Sequence, residues 1–520
     1  MLPGKIFFLL VIATLLALLG AWIVARRYRA SMKRLMQVPL AAPSTAGAPE
    51  TGPDHPSPAT VAASVTLEDN RNAHIRLLAC FLALTLVIAL TRTLITQLIA
   101  DGPITLKTVA TLGAAYAWPV LPVLAVIGRW SRARFVGSML AWFVLAVLLL
   151  SWRTNENISF AMVFKWMLFD TGLPLIVVTA LCLGGASRAV GPWLAPLFIV
   201  LSGSSQLGID LLETAFNEKS AVAYAFISLF GGIGAIFAAA LLPWLIAWWP
   251  ARALGRALAQ AYRQRRISEL FYLFTAVWVI ALIGPALGAI SDLGWGALVC
   301  FLPLLWIPLG ATLMHRFAIP ALIGQPPTLL VLRVFQQDAN VQNLFDRVIE
   351  RWRLTGNTVL IAGTDLVDRT IDADDIFTFL DGRLAERFIN SQGDIDARLG
   401  QFEFLPDIEG RYRVNECYCH DTTWQQALDR LVSISNVVLM DLRGFRAKNK
   451  GCLHELGVLA SSPALSRVVI LADTGSDRGE AEAAAAGAPA GRFVWIHVAT
   501  GEKIAPERVL GELLATTPAS

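Results

Sequence analysis

The chain has 520 residues, 55% of them hydrophobic, and a mean hydropathy of +0.57. This composition excludes an ordinary soluble protein, and the length leaves room for more than one domain. The net charge of +4 hides an asymmetry, because residues 1–325 contain 23 Lys/Arg and 12 Asp/Glu whereas residues 326–520 contain 20 and 27. Binding to phosphates needs a basic face, so the acidic C-terminal region argues against a nucleic-acid partner.

The first 70 residues predict an anchor helix followed by a linker. The apolar run at residues 6–25 is long enough to cross a bilayer. Its basic cluster follows the run, and no small-residue cleavage site precedes Arg26, so we interpret residues 1–36 as a retained anchor. Residues 37–70 contain six prolines among Ala, Ser and Gly, a composition typical of a disordered cytoplasmic linker.

Residues 71–325 predict a polytopic α-helical membrane domain. With the anchor included, nine apolar runs have about the 20 residues that a spanning helix needs, although the fourth is short and the seventh is long. A count of eight to ten spans fits the same pattern. The nine candidates are residues 6–25, 77–99, 108–127, 135–151, 166–184, 193–212, 221–249, 270–290 and 295–314.

The connecting loops predict one orientation. Basic residues follow the first, third, fifth, seventh and ninth candidate spans, whereas the loops at 101–107, 213–219 and 291–294 are poor in Lys/Arg. Positive loops stay on the cytoplasmic side of a membrane. We therefore expect an outside N-terminus, a cytoplasmic C-terminal domain and, as the location, a bacterial inner (plasma) membrane.

Four ionisable residues lie in or beside the candidate spans: Arg92, Lys165, Asp170 and Asp210. Such residues are candidates for a transport pathway, so a transporter with a regulatory cytoplasmic domain is one alternative. The other interpretation is that the two aspartates lie near the membrane interfaces and that Arg92 either extends its guanidinium to the interface or pairs locally. No repeat between the two halves of the membrane region supports a transporter fold.

Residues 326–520 alternate between strand and helix patterns. Five apolar runs predict strands, and amphipathic segments between them predict helices, which together indicate a five-stranded, parallel, doubly wound sheet. About 60 residues, 364–420, separate the second strand from the next helix, and we expect this insertion to pack at one edge, with a helix at 376–389 and a short strand at 411–414. The five predicted strands are residues 329–335 (LLVLRVF), 358–362 (TVLIA), 437–442, 467–472 and 493–498.

The usual phosphate-binding and metal-binding motifs do not occur in this region. There is no GxxxxGK[ST] and no GxGxxG after a strand, which argues against the common nucleotide-binding folds. We expect no bound metal, because the cysteines and histidines lack a standard zinc spacing. The residues weighed for such a site are Cys417, Cys419, His420, Cys452 and His454.

The most distinctive stretch is an apolar strand at 435–442 (SNVVLMDL), a polar loop, and a helix that opens at 451–456 (GCLHEL). This strand, loop and Cys-x-x-Glu helix resembles the middle of the TIR superfamily, which includes the nucleoside deoxyribosyltransferase-like domains. The resemblance covers about the last 195 residues. The first strand lacks the family's Asp-x-Phe-x-Ser pattern, and Gly451 stands where Trp usually precedes the Cys.

The resemblance implies a catalytic role for Glu455. In active members the glutamate of this motif cleaves the nicotinamide–ribose bond of NAD, and the motif places it at position 455. Asp441, Arg443 and Arg446 flank the same loop and are candidates for substrate binding, since an arginine there can pair with a nucleotide phosphate. The alternatives are a surface glutamate near a helix N-terminus and a structural Asp–Arg pair.

Three functions follow as hypotheses. The first is a membrane-anchored effector or sensor whose TIR-like domain is an NAD glycohydrolase, with NAD as substrate and no resident cofactor. The resemblance further implies a role in defence or stress signalling and activation by self-association, so that the partners are the lipid bilayer and other copies of the chain. The second hypothesis is a non-catalytic adaptor whose TIR-like surface binds proteins, and the third is the transporter.

Overall fold

A computed structural model describes residues 3–37, 65–154, 159–167, 172–183, 191–318, 325–334, 344–363, 373–420, 422–499 and 502–515. The chain forms two compact units. The first unit contains Met1–Tyr28, Cys80–Thr312 and Ile371–Asp381, and the second contains Arg29–Ala79, Leu313–Thr370 and Gly382–Ser520.

The described part of the chain is helical as far as Ala318. Its helices are α1 (Pro3–Gln37), α2 (Leu67–Ile99), α3 (Leu106–Tyr116), α4 (Val120–Ile127), α5 (Arg132–Thr154), α6 (Phe160–Met167), α7 (Leu173–Cys182), α8 (Gly191–Asn217), α9 (Ala221–Phe230), α10 (Gly232–Arg263), α11 (Glu269–Leu293) and α12 (Trp306–Leu313). A 3₁₀ helix, Gly294–Leu305, precedes α12, and a π-helical turn, Met314–Ala318, follows it. The expected linker, 37–70, lies mostly outside the described residues, and its last four residues begin α2.

Eight helical segments among the described residues are long and apolar enough to cross a membrane, which indicates a multi-pass membrane protein. The predicted fifth span, 166–184, includes residues outside the described ranges, and its described parts belong to α6 and α7. The eight segments are Phe8–Met36, Leu67–Ile99, Leu106–Ile127, Arg132–Thr154, Leu194–Asn217, Gly232–Arg263, Glu269–Ile290 and Gly294–Arg316.

The predicted seventh span, 221–249, is wrong as one continuous helix. Gly231 has φ +72° and ends α9, and α10 starts at the next residue. A positive φ costs little only for glycine, so this glycine breaks the apolar run that the hydropathy pattern reads as continuous. The spanning helix therefore begins at Gly232 and extends to Arg263.

The helices of the first unit differ in burial. Most of the apolar stretch of α11 is buried, including Phe274 and Trp278, whereas almost none of the apolar stretch of α10 is fully buried. Helix α10 exposes large apolar side chains such as Leu241 and Trp249. Helix α11 is thus central to its unit, and α10 presents an apolar surface of the kind that faces lipid.

A short segment from the predicted insertion belongs to the first unit. It contains α14 (Ala373–Leu380), whose Phe377 contacts Tyr262 with ring centroids 5.2 Å apart and Tyr272 at 5.3 Å. Asp381 directly after the helix forms an ion pair with Arg263 at 2.8 Å. The helix predicted at 376–389 is therefore too long, because it ends at Leu380.

The second unit is built on a parallel sheet of seven strands in the order β3-β4-β2-β1-β5-β6-β7. The parallel arrangement was predicted correctly, but the count of five strands is wrong. The strands are β1 (Thr328–Arg333), β2 (Asn357–Ala362), β3 (Phe388–Ile389), β4 (Val414–Cys419), β5 (Val437–Asp441), β6 (Arg467–Ala472) and β7 (Phe493–His497).

The two additional strands come from the predicted insertion. Strand β4 pairs with β2 over Thr358–Ala362, and β3 pairs with β4. The short strand expected at 411–414 starts only at Val414, where Asn415 and Glu416 interrupt the apolar character that marks the other strands. The insertion therefore extends the sheet itself at one edge.

Helices cover the sheet on both faces. Helices α16 (Trp424–Ser433), α17 (Lys450–Ser461) and α18 (Arg478–Ala484) share one core with strand residues such as Leu330 and Ile470. On the other face, α19 (Pro506–Leu514) contacts β5 and β6 beside the π-helical turn Phe345–Ile349. Neighbouring strand residues such as Leu439 point to the opposite face and are also fully buried. The helices are α13 (Glu350–Trp352), α15 (Gly393–Leu399), α16 (Trp424–Ser433), α17 (Lys450–Ser461), α18 (Arg478–Ala484) and α19 (Pro506–Leu514), with a 3₁₀ helix at Leu384–Arg387.

The start of α2 also belongs to the second unit. Asn70 is fully buried, and its Nδ2 donates to the backbone oxygen of Arg351 at 2.7 Å. The guanidinium of Arg351 in turn donates to Oδ1 of Asn70 at 3.2 Å. This reciprocal pair fixes the first turn of α2 to the helical segment that follows β1.

Candidate functional site

The strand order places a crevice at the carboxyl ends of β1 and β5. From β1 the chain proceeds to β2 and β4 on one side, and it later continues from β5 to β6 and β7 on the other. Connections that diverge in this way leave an open crevice between the two central strands, where doubly wound folds bind ligands. Arg333, the last residue of β1, is in register with Asp441, the last residue of β5.

Glu455 lies on the buried side of α17, the helix that follows β5. It shares this side with Cys452, Leu456 and Leu459, and only 4% of its surface is exposed. Its Oε2 atom has no hydrogen-bond partner among the described residues. The alternative of a surface glutamate is therefore wrong.

Burial changes the acidity of this carboxyl group. Loss of hydration raises the pKa of Glu455 from its ordinary 4.5 to about 8, and the positive charge of Arg333 opposes part of that increase. Most Glu455 side chains are thus protonated at neutral pH. A buried carboxyl group with such a pKa is typical of functional sites, because its charge state responds to a bound cation.

Arg333 is the residue that the sequence analysis missed. It is buried at the end of β1, and one guanidinium nitrogen lies 3.5 Å from the backbone oxygen of Ile361 in β2. The signal was present as an arginine inside the apolar run LLVLRVF, where a charge is unusual in a strand covered on both faces. Its guanidinium places a positive charge near the carboxyl group of Glu455.

Asp441 and Arg443 form a buried ion pair. Nε of Arg443 lies 2.8 Å from Oδ1 of Asp441, and a terminal nitrogen lies 2.5 Å from Oδ2. This two-point contact holds the start of the loop after β5, which favours a structural role for both residues. Both lie at the predicted edge of the sheet, and their role in substrate binding stays a prediction.

The loop after β5 is held in shape by hydrogen bonds from the neighbouring loop. The backbone nitrogen of Gly444, which has φ +74°, donates to Asp473, and that of Ala447 donates to Asp477. Arg446 is exposed and lies 3.3 Å from the same Asp477 carboxylate. Unlike Arg443, Arg446 keeps an exposed guanidinium at the rim of the crevice.

Trp424 and His454 form an aromatic contact beside Glu455, with ring centroids 5.5 Å apart. The indole of Trp424 lies close to Gly451, where a Cβ atom would be 4.0 Å away. The indole of α16 therefore lies next to the start of α17 at Gly451.

Thiol chemistry does not fit this site. Burial and the charge of Glu455 raise the pKa of Cys452 to about 12, so its thiol is protonated at neutral pH. Cys417 and Cys419 lie on β4, and a hydrogen bond between them together with burial raises the pKa of the Cys419 thiol. The thiols of Cys419 and Cys452 are therefore poor nucleophiles.

Two of the four ionisable residues singled out in the membrane region have local partners. Arg92 is buried and its guanidinium lies 4.3 Å from the ring centroid of Tyr116. Asp210 accepts a hydrogen bond from Gln206 of the same helix at 2.8 Å. Lys165 is exposed, and Asp170 lies outside the described residues.

Comparison of the chain with protein-family models, with curated proteins and with solved structures finds no match. The interpretation of the site therefore depends on the geometry of its own residues.

Proposed function

We propose that the second unit is a TIR-like NAD glycohydrolase and that the membrane helices anchor it and sense its trigger. The observation that carries the proposal is Glu455, a buried carboxyl group with an unpartnered oxygen beside the switch point of a parallel sheet. Glycosidic bond cleavage needs a carboxylate at the ribose, and this is the position where such a sheet binds ligands.

The charge of the substrate explains why a protonated glutamate suits this reaction. The nicotinamide ring of NAD is a cation, and a nearby cation favours the ionised form of a carboxyl group. Binding of NAD then lowers the pKa of Glu455 and releases its proton. The substrate itself generates the carboxylate that the next step needs.

The reaction follows in one sequence. The bond between C1′ and the nicotinamide nitrogen breaks, its electron pair goes to nicotinamide, and the Glu455 carboxylate stabilises the oxocarbenium character on the ribose. Water adds its oxygen to C1′ and gives up a proton. The products are nicotinamide, ADP-ribose and one proton.

The test measures nicotinamide released from NAD by the full chain in lipid nanodiscs, both dispersed and clustered. Glu455→Gln keeps the shape of the side chain and removes its charge, so we expect the rate to fall by about 10³-fold or more. Cys452→Ser and His454→Ala are matched controls on the same helix and should retain most of the activity. Turnover by Glu455→Gln at the wild-type rate, or no turnover by clustered wild type, contradicts the proposal and favours the adaptor.

The proposal also includes an orientation in a bacterial inner membrane, with the N-terminus outside and the second unit in the cytoplasm. It is supported by basic residues at one set of span ends, including Arg252, Arg256 and Arg263 in the last turns of α10 and Arg265 and Arg266 just after it, against the Lys/Arg-poor loop at 291–294. Topology reporters fused after Gly294 and after Ser520 should give opposite signals. Equal signals contradict the orientation.

A further inference from the structure

A short stretch between β2 and β3 packs within the first unit. Residues 373–381, here called the strap, consist of α14 and Asp381. Phe377 of the strap is buried in a cluster with residues of α4, α10 and α11. Phe379 contacts Tyr28 of α1 edge-on, with ring centroids 6.0 Å apart. The strap therefore docks on four helices of the first unit.

The contacts that dock the strap are of modest strength. Arg263 and Asp381 form their ion pair with side chains that are 45% and 19% exposed, so water weakens the attraction between them. A helix of only eight residues is marginal in water by itself, so α14 depends on docking for its helical form. A segment of this kind can be released without unfolding the unit on which it docks.

The strap is closely connected to the start of α16. Six residues, 382–387, separate it from β3. Strand β3 and the residue after it are in turn bonded to the residues that precede α16. The hydroxyl of Thr423 donates to the backbone oxygen of Ile389 at 3.1 Å, and Nε2 of His420 lies 3.2 Å from Oδ1 of Asn390. The position of the strap therefore restricts the start of α16.

The start of α16 contacts the helix that carries Glu455. Trp424, the first residue of α16, packs against His454 of α17, and Glu455 is the next residue along α17. Only 4% of Glu455 is exposed. Reacting atoms have to approach within about 3–3.5 Å, so elements beside Glu455 must move before a ribose can reach its carboxylate. The structure with the strap docked is thus a closed state of the crevice.

We infer that the strap is an autoinhibitory contact: docked on the first unit, it holds the start of α16 against α17 and keeps the carboxyl group of Glu455 covered. Release of the strap frees β3 and the start of α16, and the crevice opens to the substrate. This inference rests on the proposed function and deepens it, because it names how the same site is kept inactive. A trigger that shifts α10 relative to α11 would remove the surface on which Phe377 docks.

The test exchanges the charges of the ion pair in the full chain, in lipid nanodiscs and without clustering. Asp381→Arg and Arg263→Asp each place two like charges together and should release the strap. The double variant Arg263→Asp/Asp381→Arg restores opposite charges and should dock again. Hydrogen exchange over residues 373–381 measures docking.

The activity readout is nicotinamide released from NAD. Each single variant should raise the basal rate about fivefold or more, within the range typical of coupling between two sites, and the double variant should return it towards wild type. Arg256→Asp, the same charge reversal at an exposed position two turns earlier on α10, is the matched control and should leave the rate unchanged. An equal rise in this control would overturn the inference.

Hydrogen exchange of α17 is a further readout that needs no turnover of NAD. Faster exchange on release of the strap, reversed in the double variant, supports the inference, and absence of nicotinamide would then contradict only the proposed function. Release of the strap with wild-type exchange in α17, or with a lower rate of nicotinamide release, overturns it. It is also overturned if neither Asp381→Arg nor Phe377→Ser releases the strap, because the contact is then a permanent part of the first unit.

Discussion

The two units use the same apolar side chains in opposite ways. Helix α10 of the first unit exposes large apolar residues such as Leu241, Leu245 and Trp249, whereas every residue of β5 in the second unit is buried. Exposed apolar surface is stable only against lipid, and a sheet covered by helices on both faces is stable in water. The same types of apolar side chain occur in both units. Whether they are exposed or buried depends on the solvent in which each unit is stable.

Charge follows the same contrast. The second unit buries several ion pairs, including Arg413 with Asp407 and Arg411 with Glu350, each with contacts below 3 Å. The described first unit buries Arg92 against an aromatic ring. Buried arginines of the second unit are thus paired with carboxylates, whereas the buried arginine of the first unit contacts an aromatic ring.

The largest effect is expected in the central strand. Leu439 is fully buried in β5 between β1 and β6. Leu439→Asp would bury an unpaired charge and leave a cavity, and we expect a loss of roughly 5 kcal/mol or more, enough to unfold the second unit. Hydrogen exchange over residues 437–441 measures the loss, and Leu439→Ile is the control. Full protection of β5 in the Asp variant would contradict the assignment of this strand.

The next effect concerns pH and separates Glu455 from an ordinary surface acid. Its pKa is about 8 in the folded chain and near 4.5 when unfolded, so its contribution to stability is fully present below pH 4.5 and is lost as the pH rises through 8. Wild type should therefore lose up to about 4 kcal/mol relative to Glu455→Gln between pH 4.5 and pH 9. Thermal melts of both proteins across this range measure the difference, and parallel curves would show that the carboxyl group is hydrated.

A smaller effect tests the buried ion pairs. Asp407→Ala leaves the guanidinium of Arg413 without one of its two acidic partners in a buried site, and we expect a loss of about 3 kcal/mol. Asp396 pairs with Arg430 in an exposed position, so Asp396→Ala should cost less than about 1 kcal/mol. Thermal melts of the two variants give the comparison. Equal losses would mean that burial does not decide the strength of these pairs.

The smallest effect is expected on the exposed side of α10. Leu241→Ala removes a side chain that packs little within the protein, and lipid tails are as apolar as leucine, so stability in nanodiscs should change by less than about 0.5 kcal/mol. Leu439→Ala, the same change inside the sheet, should cost roughly 2–5 kcal/mol. A large loss at Leu241 would instead identify a protein contact on that face.

The sequence predicted those elements whose burial is uniform. Strands β1, β2, β5 and β6 appear as short apolar runs because they are buried on both faces, and the mostly half-buried edge strand β7 was found because its residues are apolar as well. Strand β4 was placed too early because the polar residues Asn415 and Glu416 interrupt its apolar pattern, although Asn415 is buried. The break at Gly231 was missed because hydropathy does not report φ, and the glycines at 231, 232 and 234 can equally serve close helix packing.

The candidate site was predicted in part. A single motif located Glu455, Asp441 and Arg443 at one edge of the sheet, because strand ends and helix starts follow from the chain order. Arg333 was not found, since its proximity to Glu455 arises from the pairing of β1 with β5 across more than 100 residues. The motif also could not predict that Glu455 is buried, because its burial depends on how α17 packs on the sheet.

The segment Ile371–Asp381 limits how far this protein can be treated as interchangeable modules. It is encoded within the C-terminal region, yet Phe377 and Asp381 complete the surface made by Tyr262, Tyr272 and Arg263 of the first unit. A chimaera that exchanges residues 326–520 for another cytoplasmic domain would remove a piece of the membrane unit as well. Chimaeras that retain residues 371–381 should express better than chimaeras joined at residue 326. Evolutionary exchange of the C-terminal region faces the same constraint.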